Sequence, residues 1–443
     1  MTRLDTRKSL GLLSALGAAS MLAFAALLGA PSQGRSQAGR EGEDDQPLPT
    51  RVVIDVDSPE RALYRIAIPD PLGNTQMLGK KGVEVMRKDL RLISLFNVLN
   101  PDSFIANAES EGLGITEPPW SSVGAQGVVK TEVTLTGSQI RVEARFYELA
   151  RGTQPLLSRS YSGNKSEQGQ FMHDFANEIV GLLTGKKGAF DSRVTYARRL
   201  GPGRKSIYVS DYNGHNRGRV SGGARLAMLP AFGPGGIWYS VLGESGMFIT
   251  NTSHGGKPVI TGSGLNMGVT VCNGRAYFSS TRDGNSEIYS ANLDGSGVRR
   301  LTNHPAIDVS PTCGPGGQIA FVSSRHGGPQ VFIMDGGGGS PRRVTYKGNH
   351  NQTPAFCMDP KTPLLAFSGR DGGGFDIFTV NLNTGEYKRL TQGQGINQDP
   401  AFSPDCRMVA FASSRGGMFI SNPDGLNQQK VIPGAVSTIK WSR

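Results

Sequence analysis

Asp399-Pro-Ala-Phe-Ser-Pro-Asp405 is followed closely by the apolar run Val409-Ala-Phe-Ala412, and this pairing of a Pro-marked segment with a short strand decides the fold. It is echoed by Thr353-Pro-Ala-Phe356 before Leu365-Ala-Phe-Ser368, and by Asp308-Val-Ser-Pro311 before Ile319-Ala-Phe-Val322. Leu229-Pro-Ala-Phe-Gly-Pro-Gly235 before Ile237-Trp-Tyr-Ser240 is a further copy. A weaker one, Gly268-Val-Thr-Val271, precedes Ala276-Tyr-Phe-Ser-Ser280. With Pro230, Gly268, Pro311, Pro354, Pro400 and Ile439 taken as equivalent, the intervals are 38, 43, 43, 46 and 39 residues. Repeats of that length suit a unit of four short strands.

One unit can be written out: Ala276–Ser280, a turn at Arg282-Asp-Gly-Asn285, Glu287-Ile-Tyr-Ser290, a turn at Leu293-Asp-Gly-Ser296, then Val298-Arg-Arg-Leu-Thr302. Asp-Gly pairs suit tight hairpins because glycine reaches positive φ and Asp tolerates it. Strands so short, joined by hairpins, make a meander, and radial repetition of meanders makes a propeller. Six anchors enclose five complete units. The last anchor lies in Ser437-Thr-Ile-Lys-Trp-Ser-Arg443, while the unit near Arg193 lacks an innermost strand. The expectation is an all-β six-bladed propeller over residues 190–443, closed by the C-terminal strand.

The first half has another rhythm. Ala62–Ile68 reads as a strand, and Gln76 to Leu95 carries apolar residues near helical spacing. Val128–Leu135 and Ile140–Leu149 alternate across a Thr136-Gly-Ser138 turn, a hairpin, and Phe171–Leu183 is an amphipathic helix ending at Gly185. This defines an α/β N-terminal domain over residues 50–185, hinged at Gly185-Lys-Lys-Gly188.

Ahead of it, Arg3, Arg7 and Lys8 precede an uncharged run from Ser9 to Ala30. It reads as a secretory signal within residues 1–38, cut near Ala30 or Ala38, the alternative being an uncleaved anchor. Export bounds the rest. The formal charge of +11 does not point to nucleic acid, because part of it belongs to the signal and the remaining Lys and Arg are scattered among acids. Cys272, Cys313, Cys357 and Cys406 fall in four different units, which favours buried free thiols over disulfides.

Enzyme chemistry finds no apparatus. There is no Gly-x-Ser-x-Gly elbow in a strand-turn-helix context, no His-Glu-x-x-His and no Walker loop. His304, His326 and His350 share one rim and could hold Zn²⁺ only if loops from different units converged; the simpler reading is surface histidines. No cofactor is expected. Arg282, Arg325, Arg370 and Arg415 recur after the second strand of four units, either pairing locally or meeting acidic partner groups.

The connections entering the innermost strands are long and polar: Asn303–Asp308, Tyr346–Thr353 and Gln392–Asp399. Asn and Gln both donate and accept, which suits wet protein recognition, although solvated loops would look the same. The candidate funnel residues are Met267, His304, Asp308, Val309, Ser310, His350, Asn351, Gln352, Thr353, Gln398, Asp399 and Thr438. A second candidate is the alternating arm Arg51, Val52, Val53, Ile54, Asp55, Val56 and Asp57, which either opens the α/β domain as its first strand or adds itself to a partner's sheet.

Leu183-Thr-Gly-Lys-Lys-Gly-Ala-Phe190 at the junction, Val209-Ser-Asp-Tyr-Asn-Gly214, His173-Asp-Phe-Ala176 and the Pro-Ala-Phe-Ser-Pro-Asp repeats together resemble the TolB family of periplasmic propeller proteins. The start Arg193-Val-Thr-Tyr196, the end Trp441-Ser-Arg443 and the missing proline at Gly268 depart from the family pattern. The resemblance implies a monomeric periplasmic adaptor of the Tol-Pal system, without membrane insertion once the signal is cut. Its funnel would receive the lipoprotein Pal and its arm would engage TolA, in support of outer-membrane integrity, cell division and protein import. The competing class is an exported propeller enzyme, a metal-dependent lactonase or hydrolase relative.

Overall fold

The computed structural model describes residues 63–442 apart from 75, 224, 225 and 371. The expected signal segment and the arm at residues 51–57 lie outside these residues. The described chain divides into two compact units, one ending at Ser192 and the other beginning at Arg193.

In the first unit β1 (Tyr64–Ala67) pairs in parallel with β2 (Phe96–Val98) and β3 (Gly127–Thr136), and β4 (Gln139–Glu148) and β5 (Leu157–Asn164) continue the sheet antiparallel. Helix α1 (Gln76–Leu92) stops three residues before the expected end, because Ser94 turns left-handed at φ 49° and Phe96 enters β2. Helix α2 (Gln168–Thr184) starts earlier than its apolar pattern, behind a reciprocal Asn164–Glu167 capping box. Gly185 ends it at φ 74°, its N–H donated to the Gly181 carbonyl. The two helices bury Val83, Met86, Leu90, Phe175, Ile179 and Leu183. Two polar pairs are buried in this unit: between the helices Asp89 Oδ2 lies 2.6 Å from His173 Nδ1, and beside Trp120 Lys130 Nζ lies 3.0 Å from Glu111 Oε2. Glu111 also accepts from Trp120 Nε1. Burial pulls the Lys130 ammonium pKa down, and Glu111 opposes the shift.

The second unit is a β-propeller. It begins with β6 (Arg193–Gly201), β7 (Arg204–Asp211) and β8 (Gly218–Arg219), followed by β9 (Ala227–Gly233), β10 (Gly236–Gly243) and β11 (Gly246–Asn251). Next come β12 (Gly264–Cys272), β13 (Arg275–Ser280), β14 (Glu287–Asn292) and β15 (Arg299–Arg300), then β16 (Asp308–Cys313), β17 (Gln318–Ser323), β18 (Gln330–Asp335) and β19 (Arg342–Arg343). Two further meanders are β20 (His350–Phe356), β21 (Leu364–Arg370), β22 (Phe375–Asn381), β23 (Tyr387–Arg389), and β24 (Asn397–Phe402), β25 (Val409–Ser413), β26 (Gly417–Ser421), β27 (Gln429–Pro433). The last strand, β28 (Val436–Trp441), pairs antiparallel with β6. Strands β9 to β15 form one seven-stranded sheet, joined by a short parallel pairing of β11 with β12; the others form four-stranded sheets. The inner strands β9, β12, β16, β20, β24 and β28 each lie against the next, and β28 lies against β9.

Alternation along each second strand buries both faces between neighbours. In β13, Ala276 and Phe278 pack with Trp238 and Ile249 on one side, while Tyr277 packs with Ile319 and Phe321 on the other. Cross-strand ring pairs repeat through the units: Phe278 opposite Tyr289, Phe321 opposite Phe332, Phe367 opposite Phe378, Phe411 opposite Phe419. The Arg-Leu-Thr and Arg-Val-Thr repeats have a cause too. Thr302, Thr345 and Thr391 each donate to a residue at the start of the third strand: Glu287 and Gln330, which open theirs, and Asp376, the second residue of β22. At Gly295 a side chain is excluded outright, because a Cβ there would run into the Val259 carbonyl.

The expectation of four free thiols is overturned. Cys272 is bridged to Cys313 and Cys357 to Cys406, with Cα separations of 6.3 and 5.5 Å. Separate units do not mean separate places: the inner strands converge on one axis, so residues at or just beyond neighbouring strand ends come within the reach a disulfide requires.

Candidate protein-binding surface of the propeller

At equivalent positions each inner strand carries a residue with left-handed backbone: Leu229, Gly268, Ser310, Thr353, Asp399 and Thr438, with φ between 51 and 70°. In all six strands the ladder shifts register beside it; at β9 Trp238 pairs with Ala231 and Ser240 with Met228, so the shift spans Leu229. These residues and those that follow them, Pro230, Val269, Pro311, Pro354, Pro400 and Ile439, line a narrow central cavity. The residue equivalent to the repeat's proline is therefore Val269, one position later than the sequence anchor at Gly268.

The candidate funnel residues fall on the rim where the inner strands begin, but they are not alike. Met267, Val309, Ser310, Thr353, Gln398, Asp399 and Thr438 are half-buried along the channel, whereas Asp308, Asn351 and Gln352 are buried. Asp308 Oδ2 is held 2.7 Å from Arg325 Nη2, and burial raises its carboxyl pKa against the pull of Ser323 and Arg325. Gln352 Oε1 lies 3.0 Å from His350 Nε2, and Thr353 Oγ1 lies 2.7 Å from Ser368 Oγ. Asp399 Oδ2 accepts from the Thr438 amide at 2.6 Å and so ties β24 to β28. Desolvation raises the Asp399 pKa, opposed by that hydrogen bond and by Lys205 and Lys440.

The three rim histidines are engaged separately. His304 Nδ1 accepts from the Ala306 amide, His350 meets Gln352, and the His326 ring stacks on Phe332 at 5.6 Å. Among the described residues no group of three His, Cys, Asp or Glu could hold a metal ion.

The recurring arginines turn inward. The Nε of Arg282, Arg325 and Arg415 donates to Ser280, Ser323 and Ser413 at 3.0, 2.8 and 3.1 Å. Each guanidinium also covers the ring pair beside it, 5.2 Å from Tyr289, 5.0 Å from Phe332 and 3.9 Å from Phe419. Arg370 does not follow them. It lies three residues after its ring, not four, and donates to the Gly373 carbonyl instead.

Sequence reasoning missed the opposite mouth of the channel. A cavity of about 390 Å³ there is lined by Phe232, Phe356, Met358, Phe402, Lys440 and Trp441 among others. The signal was present, because the Phe of each Pro-Ala-Phe repeat is the last or next-to-last residue of an inner strand.

An α/β unit followed by a β-propeller with a polar-rimmed central channel defines a class of two-domain propeller proteins. The family model described as the TolB amino-terminal domain matches residues 52–155, and the one described as the TolB beta propeller domain matches residues 180–365. The chain belongs to the TolB family. It is 33% identical over 275 residues to the Tol-Pal system protein TolB of Anaeromyxobacter dehalogenans, covering 60% of this chain and 63% of that one. It is 29% identical over 264 residues to the Protein TolB homolog of Chlorobium luteolum, covering 58% and 60%. The chain thus spans under two thirds of the length of these curated relatives. The crystal structure of TolB from Acinetobacter baumannii superposes with a TM-score of 0.74 at 24% identity, over 88% of this chain and 98% of that one, which shows the shared fold.

Proposed function

We propose that this chain is a periplasmic, non-catalytic adaptor of the Tol-Pal system. In this reading residues 1–38 direct export, residues 50–185 form the N-terminal domain, and residues 190–443 form a six-bladed propeller whose first blade is completed by β28. The rim at the start of the inner strands receives Pal, and the arm at residues 51–57 adds to TolA as a strand. The link between inner-membrane machinery and outer membrane supports envelope integrity and constriction at division. Periplasmic location rests on the signal-like N-terminus and on the Tol-Pal names of the relatives; no helix among the described residues is long and apolar enough to cross a membrane. Those names give a system role and no reaction, in keeping with an adaptor.

The observation that carries this reading is the ring of bulged residues at the channel. Each bulge re-aims the backbone of an inner strand, and polar or flexible side chains such as Met267, Gln398 and Thr438 stand beside it on a rim open to a partner. The two-site account is tested by capture of purified Pal and TolA. Gln352→Ala with Asp399→Ala should weaken Pal capture alone, and deletion of residues 51–57 should abolish TolA capture alone. Equal loss of both partners from the funnel variant, with its circular dichroism unchanged, would refute the division into two sites.

A further inference from the structure

Five meanders carry a cross-strand ring pair; in β6–β7 it is Tyr196 and Tyr208 with Arg198 over Tyr208, and in three of the other four an arginine four residues after the first ring closes over the pair. The residue four positions after Phe278, Phe321 and Phe411 is Arg282, Arg325 and Arg415. The serine two positions after each of those rings accepts from the arginine Nε. Arg282 and Arg325 also reach the inner strand, where Asn266 Oδ1 and Asp308 Oδ2 accept from Nη2 at 2.7 Å each. The meander β20 to β23 keeps the rings and breaks the rest. Four positions after Phe367 stands Asp371, outside the described residues, and two positions after it stands Gly369.

The consequence is a slot. A cavity of about 240 Å³ lies between Phe367, Phe378, Asn351 and Gly369. Phe367 and Phe378 are stacked with centroids 5.6 Å apart. Phe378 is half-exposed, whereas its counterparts Tyr289, Phe332 and Phe419 are buried under arginines. Asn351 is 1% exposed, and both its amide hydrogens are committed, to Gln330 Oε1 and to the Lys347 carbonyl. Its Oδ1 therefore faces Gly369 as a bare acceptor: a Cβ on Gly369 would lie 2.8 Å from it, and no described residue donates to it.

We infer that this slot is a binding site for the guanidinium of an arginine on a partner protein, taking the place that Arg282, Arg325 and Arg415 fill in the sister meanders. Ring faces and a carbonyl acceptor attract a planar cation, although Lys347, Arg370 and Arg389 also line the slot. Arg389 lies 5.4 Å from Phe378, but Asp376 neutralises it, and the corresponding Arg300 and Arg343 coexist with Arg282 and Arg325. Lys347 and Arg370 are exposed at the mouth, so the fitting arginine has an acidic neighbour to meet them. The inference goes beyond the adaptor reading and does not depend on which protein the channel takes.

The test uses the full chain and the capped dipeptide Asp-Arg, titrated by calorimetry or ligand-observed NMR. Replacing Arg by its neutral isostere citrulline should weaken binding at least tenfold. Gly369→Ser, which puts back the hydroxyl that Ser280 donates to Asn266 Oδ1 in a sister meander and so should cap Asn351 Oδ1, should weaken binding to the same degree, as should Phe378→Leu, which removes the ring face and keeps an apolar side chain. Circular dichroism would confirm that the variants are folded. Equal binding of the citrulline peptide, undiminished binding to folded Phe378→Leu, or tighter binding of a dipeptide with Glu in place of Arg would each overturn the assignment.

Discussion

The two mouths of the propeller channel are made by the same inner strands and present opposite chemistry. Where the strands begin, Met267, Gln398, Asp399 and Thr438 stand on a rim fed by long polar connections. Where they end, Phe232, Phe356, Phe402 and Trp441 gather, with both disulfides at or just beyond that end. The beginning of each strand is free to vary because a loop sets it. The end is fixed by the repeat, which places Pro, Ala and Phe in order and brings neighbouring strands close enough to cross-link. In the proposed reading one mouth serves stability and the other recognition.

The largest effect should come from β28, which serves both mouths. Deleting residues 437–443 removes the strand paired with β6 and the amide that Asp399 accepts from. Thermal unfolding should fall by about 10 °C or more; an unchanged midpoint would contradict the closure of the ring by this strand. Next is the apolar mouth. Replacing Cys272 and Cys313 together by Ser frees a crossing of 41 residues and should cost about 2–4 kcal/mol in denaturant unfolding. Thiol titration of the unreduced, denatured protein should find none free, and four free groups would restore the reading the structure overturns. The smallest effect is at the polar rim. The folded pKa of Asp399 is raised, so its stabilising contribution is complete below the unfolded carboxylate value and is lost as pH rises through the folded one. Asp399→Asn, whose carbonyl can still accept from Thr438, should therefore gain stability relative to the parent as the pH is raised above about 4. A difference independent of pH would remove Asp399 from the account.

Much of this was legible because the repeat is local. The Pro-Ala-Phe segments, the Asp-Gly turns and the alternation of β13 and β17 announce strands and hairpins through residue type alone, and Gly185 marks the end of α2. What escaped is set by convergence between units. The partners of Cys272 and Cys357 lie 41 and 49 residues away, and only the curvature of the ring brings them together. The recurring arginines show the same limit. Their period is visible, but that Arg282 and Arg325 close inward over rings while Arg370 turns away depends on one residue of register. Asp308 likewise reads as a rim carboxylate and is a buried partner of Arg325.

The most direct measurement is the affinity of purified Pal for variants of each rim, by calorimetry. Met267→Ala with Gln398→Ala, both half-buried beside the channel bulges, should weaken binding at least tenfold. Asp294→Ala, in an exposed turn of the opposite rim where its carboxylate meets only Ser296 in the described contacts, should leave affinity within twofold of the parent. The reverse pattern, with Asp294→Ala impaired and the folded rim double variant unaffected, would contradict recognition at the polar mouth.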